Sequence, residues 1–170
     1  MNHYFDWMNE MKVPFLKPHQ LIYIALRDVD AHERHIIKEL GIKAYTMHDI
    51  DKHGIGKIME MVLDHAIGRK EKPLHLSFDI DSIDPLYAPS TGTRVAGGLT
   101  YREAYFICES LAHSKLLASM DVVEVNPSLY GMGIASQIGS MGTGNIVPVK
   151  DGTAEMAVGL MSSALGNSII

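Results

Sequence analysis

Cysteine is almost missing. Cys108 is the single one in 170 residues, so an internal disulfide framework is excluded, and a reducing compartment, the cytoplasm, is the expected location. Long apolar runs are missing too. The opening MNHYFDWMNEMKVPFLKPHQ interrupts its hydrophobic residues with charges, amides and prolines, unlike the unbroken apolar core of a signal peptide, and no later stretch is long enough to cross a bilayer. Positive charge is in short supply: 15 Lys and Arg against 20 Asp and Glu leave a formal net charge of −5. With no basic run beyond a few residues, the footprint of a nucleic-acid binder or of a protein held on an anionic membrane is absent, so neither partner is expected. What remains is ordinary: hydrophobic residues make up 46% of the chain and charged residues 21%, enough for one globular domain with a real core, spanning 1–170.

Along the chain the hydrophobic period switches between strand and helix. LIYIAL (Leu21 to Leu26) is a short apolar run. AHERHIIKEL (Ala31 to Leu40) then places Ile36, Ile37 and Leu40 at helical spacing and stops at Gly41, a usual C-terminal cap. KAYTM (Lys43 to Met47) is a second strand. A helix from about Asp49 to Ile67 follows, its stripe formed by Ile55, Ile58, Met59, Val62 and Leu63. LHLSFDI is the third strand. After it Thr100, Tyr101, Arg102, Glu103 reads as a capping box opening another helix. LLASMDVVEV (Leu116 to Val125) is the fourth strand, and the last helix covers Thr153 to Leu165, ended by Gly166. Strands alternating with helices imply right-handed crossovers and a mostly parallel sheet covered on both faces, a three-layer αβα arrangement of the α/β class.

In such a sheet, sites form beyond the carboxyl ends of the strands, and there the acids collect. Asp28 and Asp30 follow LIYIAL, Asp79 and Asp81 follow LHLSF, and Glu124 stands in VVEVNP. The stretch LHLSFDIDSIDP runs a strand into three carboxylates, Asp79, Asp81 and Asp84. Residues two apart on a strand share a face about 6.5 Å apart, and two like charges at ~6 Å repel by roughly 3 kcal/mol at an effective dielectric near 20. Either one carboxyl keeps its proton or a cation offsets both; carboxylate oxygens suit hard divalent ions such as Mg²⁺ or Mn²⁺. The plainer alternative is that these aspartates cap a turn or pair with Arg94 and Arg102.

Other features carry less. His32 and His35 lie three apart on a helix, without a fixed acidic partner, and read as solvated. His75, on the strand that ends at Asp79, reads either as a hydrogen-bond partner behind the acids or as a packed strand histidine. Cys108 sits mid-helix among apolar neighbours, as inert core. The segment from Tyr130 to Asp151 is rich in Gly, Ser and Met; its GMGIAS is not a GxGxxG and no Gly-Lys-Ser/Thr follows, so a phosphate cradle is not expected.

With those residues in place, SFDIDSIDP, TGTRVAGGLTYRE (Thr91 to Glu103), LRDVD (Leu26 to Asp30) and VVEVNPSL (Val122 to Leu129) resemble, in order, the motifs of arginase in the ureohydrolase family. The resemblance runs from about Leu21 to Leu129 and covers the C-terminal part of that family's fold. It implies an arginase-like sheet without its N-terminal strands. It further implies Asp79 and Asp81 as ligands of a two-manganese centre, with Asp81 and Glu124 at the reacting centre. Glu124 would hold the substrate guanidinium, Asp30 with Glu33 would meet the α-amino group, and Thr93 would line the pocket. The reaction implied is hydrolysis of L-arginine to L-ornithine and urea by a metal-bridging hydroxide, in a homo-oligomer, a trimer in the family. The GGDHS-like and DAHTD-like segments, which carry the family's remaining metal ligands, are absent from this sequence. Arg94 stands where the family's TGTPV motif has proline. Two functional expectations follow: an arginase-type hydrolase, or a truncated, non-catalytic module that acts by binding or assembly.

Overall fold

The structure, a computed structural model, describes residues 16–68, 72–129 and 152–167. The Gly-rich stretch 130–151 and most of the N-terminal segment 1–20 lie outside the described residues. The elements follow as β1 (Ile22–Leu26), α1 (Ala31–Glu39), β2 (Lys43–Thr46), α2 (Met47–Ile67), β3 (Leu74–Asp79), α3 (Tyr101–Ser114), β4 (Leu117–Val123) and α4 (Thr153–Ala164). Short 3₁₀ turns stand at Ile80–Ser82 and Pro127–Leu129.

Local chemistry sets the boundaries. Thr100 and Glu103 form the expected capping box: the Glu103 amide donates to Thr100 Oγ1 at 3.2 Å, and the Thr100 amide donates to Glu103 Oε2 at 2.8 Å. Each such cap satisfies donors that the first helical turn leaves free, at about 1 kcal/mol. The same device moves the start of α2 from the expected Asp49 back to Met47. Thr46 is the N-cap, and its amide donates to Asp49 Oδ2 at 2.8 Å. That helix is also interrupted where periodicity showed nothing. Gly54 has φ 76° and ψ 151°, a conformation that a Cβ disfavours, so the chain changes direction there.

Every strand pairing is parallel, as an α/β chain requires. The four strands nevertheless make two separate pairs, β1 with β2 and β3 with β4. Helices α2, α3 and α4 hold the pairs together. Ile58, Met59 and Val62 of α2 meet Ala104, Ile107, Cys108 and Leu111 of α3, while Met156, Ala157 and Leu160 of α4 close the cluster, which also takes in Phe78 of β3. Burying each large side chain contributes about 1.5–3 kcal/mol. α3 packs against both α2 and α4, so it is the bridge of the domain.

One expectation about covering changes here. Ile36 and Leu40 of the first helical stripe are exposed, and no residue of α1 is buried; the helix is held by its cap rather than by an apolar face. On β3 and β4 the alternate residues His75, Ser77, Ser119, Asp121 and Val123 are exposed as well. Among the described residues the helices cover one face of this pair.

Candidate active site

The carboxyl ends of β3 and β4 lie side by side, and acids crown both. Asp79 is the last residue of β3. Asp81 is not on the strand, as the two-residue spacing had implied, but in the 3₁₀ turn Ile80–Ser82. The reason is local. Asp79 Oδ1 accepts a hydrogen bond from the Asp81 amide at 3.1 Å, and the Ser82 hydroxyl donates to the Asp79 carbonyl at 2.7 Å. The first acid thus caps the turn that carries the second. The two carboxyls still interact: burial first, then the Asp79 charge and a hydrogen bond with it, push the Asp81 carboxyl up to about 6. The Glu124 charge adds to that upward push.

Glu124 comes directly after β4 and has φ 62°. A left-handed conformation is costly for a residue with a Cβ, and it turns the side chain off the line of the strand. Gly92 passes close beside it: a Cβ built there would lie 3.8 Å from Glu124 Oε2. The loop carrying Thr93 therefore runs past this carboxylate. Thr93 itself is exposed and lines the cleft between β1 and β3.

The third acid of the stretch, Asp84, is no part of this group. Its Oδ1 accepts from the Leu86 amide at 2.9 Å and its Oδ2 from the Gly97 and Gly98 amides at 2.8 and 3.3 Å. Those donors, Leu86 first, hold its carboxyl below the usual range. It ties the turn after β3 to the Gly97–Gly98 segment, and Gly98 is needed there: a Cβ would stand 2.6 Å from the Asp84 amide nitrogen and 2.7 Å from the Ser82 carbonyl oxygen.

The cation of the site is one that sequence reasoning passed over. Arg94 donates to the Leu129 carbonyl at 2.9 Å, and Arg102 pairs with Glu109 at 2.6 Å, so neither meets the aspartates. Arg27, immediately after β1, does the work. Its Nη2 donates to the Asp81 carbonyl at 2.6 Å and to the Val95 carbonyl at 2.7 Å, its Nη1 to the Ser82 carbonyl at 3.2 Å, and its Nε to Val95 at 3.0 Å. One planar fork ties the ends of β1 and β3 to the loop beside Thr93, a geometry lysine cannot supply. Its charge also acts downward on the Asp81 carboxyl. The only sequence sign was an arginine at a strand's end inside LRDVD.

Asp30 and Glu33 are held at the start of α1. Asp30 is the N-cap, accepting from the His32 and Glu33 amides at 2.7 and 2.9 Å, while Glu33 Oε2 accepts from the Asp30 amide at 3.2 Å. Both are exposed, and Asp28 with them. His32 is exposed, and His35 pairs with Glu39 at 3.3 Å, as solvated helix residues do. His75 is neither packed nor turned toward Asp79. It reaches across to β4, with Nδ1 2.9 Å from Ser119 Oγ and Nε2 3.4 Å from Asp121 Oδ2. Cys108 is fully buried, and burial first pushes its thiol up to about 12, so it is inert core.

Manganese needs more than this arrangement offers. Asp79 and Asp81 are hard oxygen donors of the right kind, but among the described residues no three His, Cys, Asp or Glu side chains gather to hold a metal ion. The described residues do not complete a metal centre. Nor, among them, is any helix long and apolar enough to cross a membrane.

Comparison with known proteins agrees with the site's motifs. A profile of the arginase family matches residues 6–165. The chain is 49% identical over 138 residues to an arginase of Glaciozyma antarctica and 49% identical over 125 residues to Arginase-1 of Homo sapiens. These matches take in 81% and 74% of this chain but 39% and 38% of those proteins. Among solved structures, the arginase of Bacillus caldovelox superposes with a TM-score of 0.76 at 37% identity, over 91% of this chain and 46% of that one. A formimidoylglutamase of Bacillus subtilis, 19% identical with a TM-score of 0.72, shows the shared fold alone. The chain thus spans about two fifths of the curated relatives it matches, and it belongs to the arginase family.

Proposed function

We propose that this chain provides the substrate-facing part of an arginase-type hydrolase, which converts L-arginine and water to L-ornithine and urea. The observation that carries the reading is the pair Asp79 and Asp81 at the end of β3, with Asp81 raised by burial and by the Asp79 charge, beside the end of β4 that leads into Glu124. Family membership supports it. A guanidinium is a planar fork of donors, and the Glu124 carboxylate can accept two of them side by side. Glu124 holds a left-handed backbone, and the loop at Gly92 passes beside its carboxylate. Thr93, on the loop clamped by Arg27, lines the approach. Asp30 and Glu33 would meet the α-ammonium, a role that asks them to share their oxygens with the α1 cap. Manganese, the family's metal, belongs to the completed site, with Asp79 and Asp81 as this chain's ligands.

A second reading has its own support, since among the described residues no three His, Cys, Asp or Glu side chains gather to hold a metal ion. On that reading the chain binds or assembles and turns nothing over by itself. Urea release from L-arginine by the purified chain with Mn²⁺ separates the two. Turnover abolished by Asp81→Asn and by Glu124→Gln establishes the first; no urea at any manganese loading leaves the second.

A further inference from the structure

We propose that His75 and Asp121, on the open face of the β3 and β4 pair, form a binding site for one Zn²⁺ ion, with Ser119 as the residue that positions the His75 ring. The strands bring the three side chains together. Parallel pairing sets His75 opposite Ser119 and Ser77 opposite Asp121, and residues two apart on a strand share a face. One irregularity matters. The register slips between the pairs Leu74–Leu117 and His75–Ser119, so β4 takes in Ala118 as an extra residue; in unbroken register His75 would stand opposite that alanine and find no hydroxyl. About half of each charged side chain is open to solvent, 52% for His75 and 50% for Asp121, so an ion can reach both.

Hydrogen bonding decides which ring nitrogen is available. His75 Nδ1 lies 2.9 Å from Ser119 Oγ, an ordinary hydrogen-bond length, while Nε2 lies 3.4 Å from Asp121 Oδ2. A protonated Nε2 would draw in to about 2.7–2.9 Å from a carboxylate oxygen. With the proton on Nδ1, donated to Ser119, Nε2 turns a lone pair toward Asp121. Two acceptors then face each other across a gap that a cation fills. A histidine whose other nitrogen donates to a neighbouring oxygen is the usual metal-ligating arrangement.

The width of the gap and the donor types select the ion. Donors about 2.1 Å from a metal stand about 3.4 Å apart in a tetrahedral shell and about 3.0 Å apart at right angles. The observed 3.4 Å is the tetrahedral separation that zinc takes, rather than the right-angled one of octahedral magnesium or square-planar copper. Imidazole nitrogen beside carboxylate oxygen suits zinc too, whereas the oxygens of Asp79 and Asp81 suit harder ions. Two protein donors leave two positions of the shell for water. Four strand residues, roughly 13 Å, separate His75 from Asp79, so the two sites are distinct and the zinc site does not rest on the arginase reading.

The test titrates the full chain with Zn²⁺ alone. Calorimetry should show one site per chain that His75→Gln and Asp121→Asn each weaken at least about tenfold, equivalent to about 1.4 kcal/mol. Ser119→Ala leaves both ligands in place and should weaken uptake about tenfold, and Ser119→Thr, which keeps the hydroxyl, should restore it. His35→Gln, which removes a histidine paired with a carboxylate on α1, should bind like the parent. In nitrogen NMR of the imidazole rings of the unaltered chain, zinc should move the His75 Nε2 signal while Nδ1 keeps its proton, and Mg²⁺ should move neither; this decides even where a variant does not fold. Absence of zinc uptake, uptake that survives either ligand change, Ser119→Ala binding like the parent, or ring signals that move only at other histidines would overturn the site.

Discussion

The same three-residue pattern, Asp-x-Asp, follows β1 and β3, and the two copies end in opposite electrostatic states. After β1, Asp28-Val29-Asp30 runs into the first turn of α1, and the free amides of that turn, Glu33 first and then His32, hold the Asp30 carboxyl below the usual range. After β3, Asp79-Ile80-Asp81 folds into a turn whose free amide goes to Asp79. Asp81 is left half-buried beside another acid and rises to about 6. Spacing therefore says little about what an acid pair can do; the supply of backbone donors decides whether a carboxylate is a cap or a group that needs a cation.

The contrast can be broken hardest at Gly98. Gly98→Ala drives a methyl into the Asp84 amide and the Ser82 carbonyl, and should cost about 2–3 kcal/mol, read as a lower denaturation midpoint with the slope unchanged. Arg27→Met comes next. It leaves the part-buried Asp81 and Val95 carbonyls without their donor, while the Ser82 carbonyl keeps the Leu99 amide, with an expected loss of about 2 kcal/mol. It also moves the Asp81 carboxyl further upward, because the Arg27 charge acts downward on it; a carboxyl NMR titration checks the direction.

Smaller effects sharpen the comparison by their opposite pH dependence. The folded carboxyl of Asp81 binds its proton more tightly than an unfolded aspartate, near 3.9. Its stabilising share is complete below about pH 4 and is lost as pH rises through about 6. Asp81→Asn should accordingly raise the melting temperature at pH 7 and leave it unchanged near pH 3.5. Asp30 has the opposite sign: its lowered carboxyl stabilises above the unfolded value, and that share is lost as pH falls through the folded one. Asp30→Ala should lower the melting temperature slightly at pH 7 and lose its effect in acid, as thermal scans of both variants across pH would show.

Element types were legible in the sequence wherever the signal lies within one element. The stripe Ile58, Met59 and Val62 is buried as periodicity implied, Thr100 and Glu103 cap α3, and Cys108 is core. Expectations failed where a neighbour decides. Ile36 and Leu40 have helical spacing but no partner surface among the described residues. His75 found Ser119 and Asp121, which lie more than forty residues further along the chain, in place of the acid on its own strand. Asp81 left the strand because Asp79 bound its amide. Part of the site was legible as well: the acids at strand ends were visible as a pattern, whereas Arg27, their organiser, was one of five arginines until the fold carried it to Asp81 and Val95.

The sequence by itself determined the order of strands and helices, the caps and the arginase motifs, because those depend on side chains a few positions apart. Only tertiary structure decided that the strands form two parallel pairs with a cleft between them, that one Asp-x-Asp is satisfied and the other is not, and that Glu124 turns into the left-handed region. These outcomes depend on which distant donors, charges and edges come to lie together, and spacing along a chain carries no record of that.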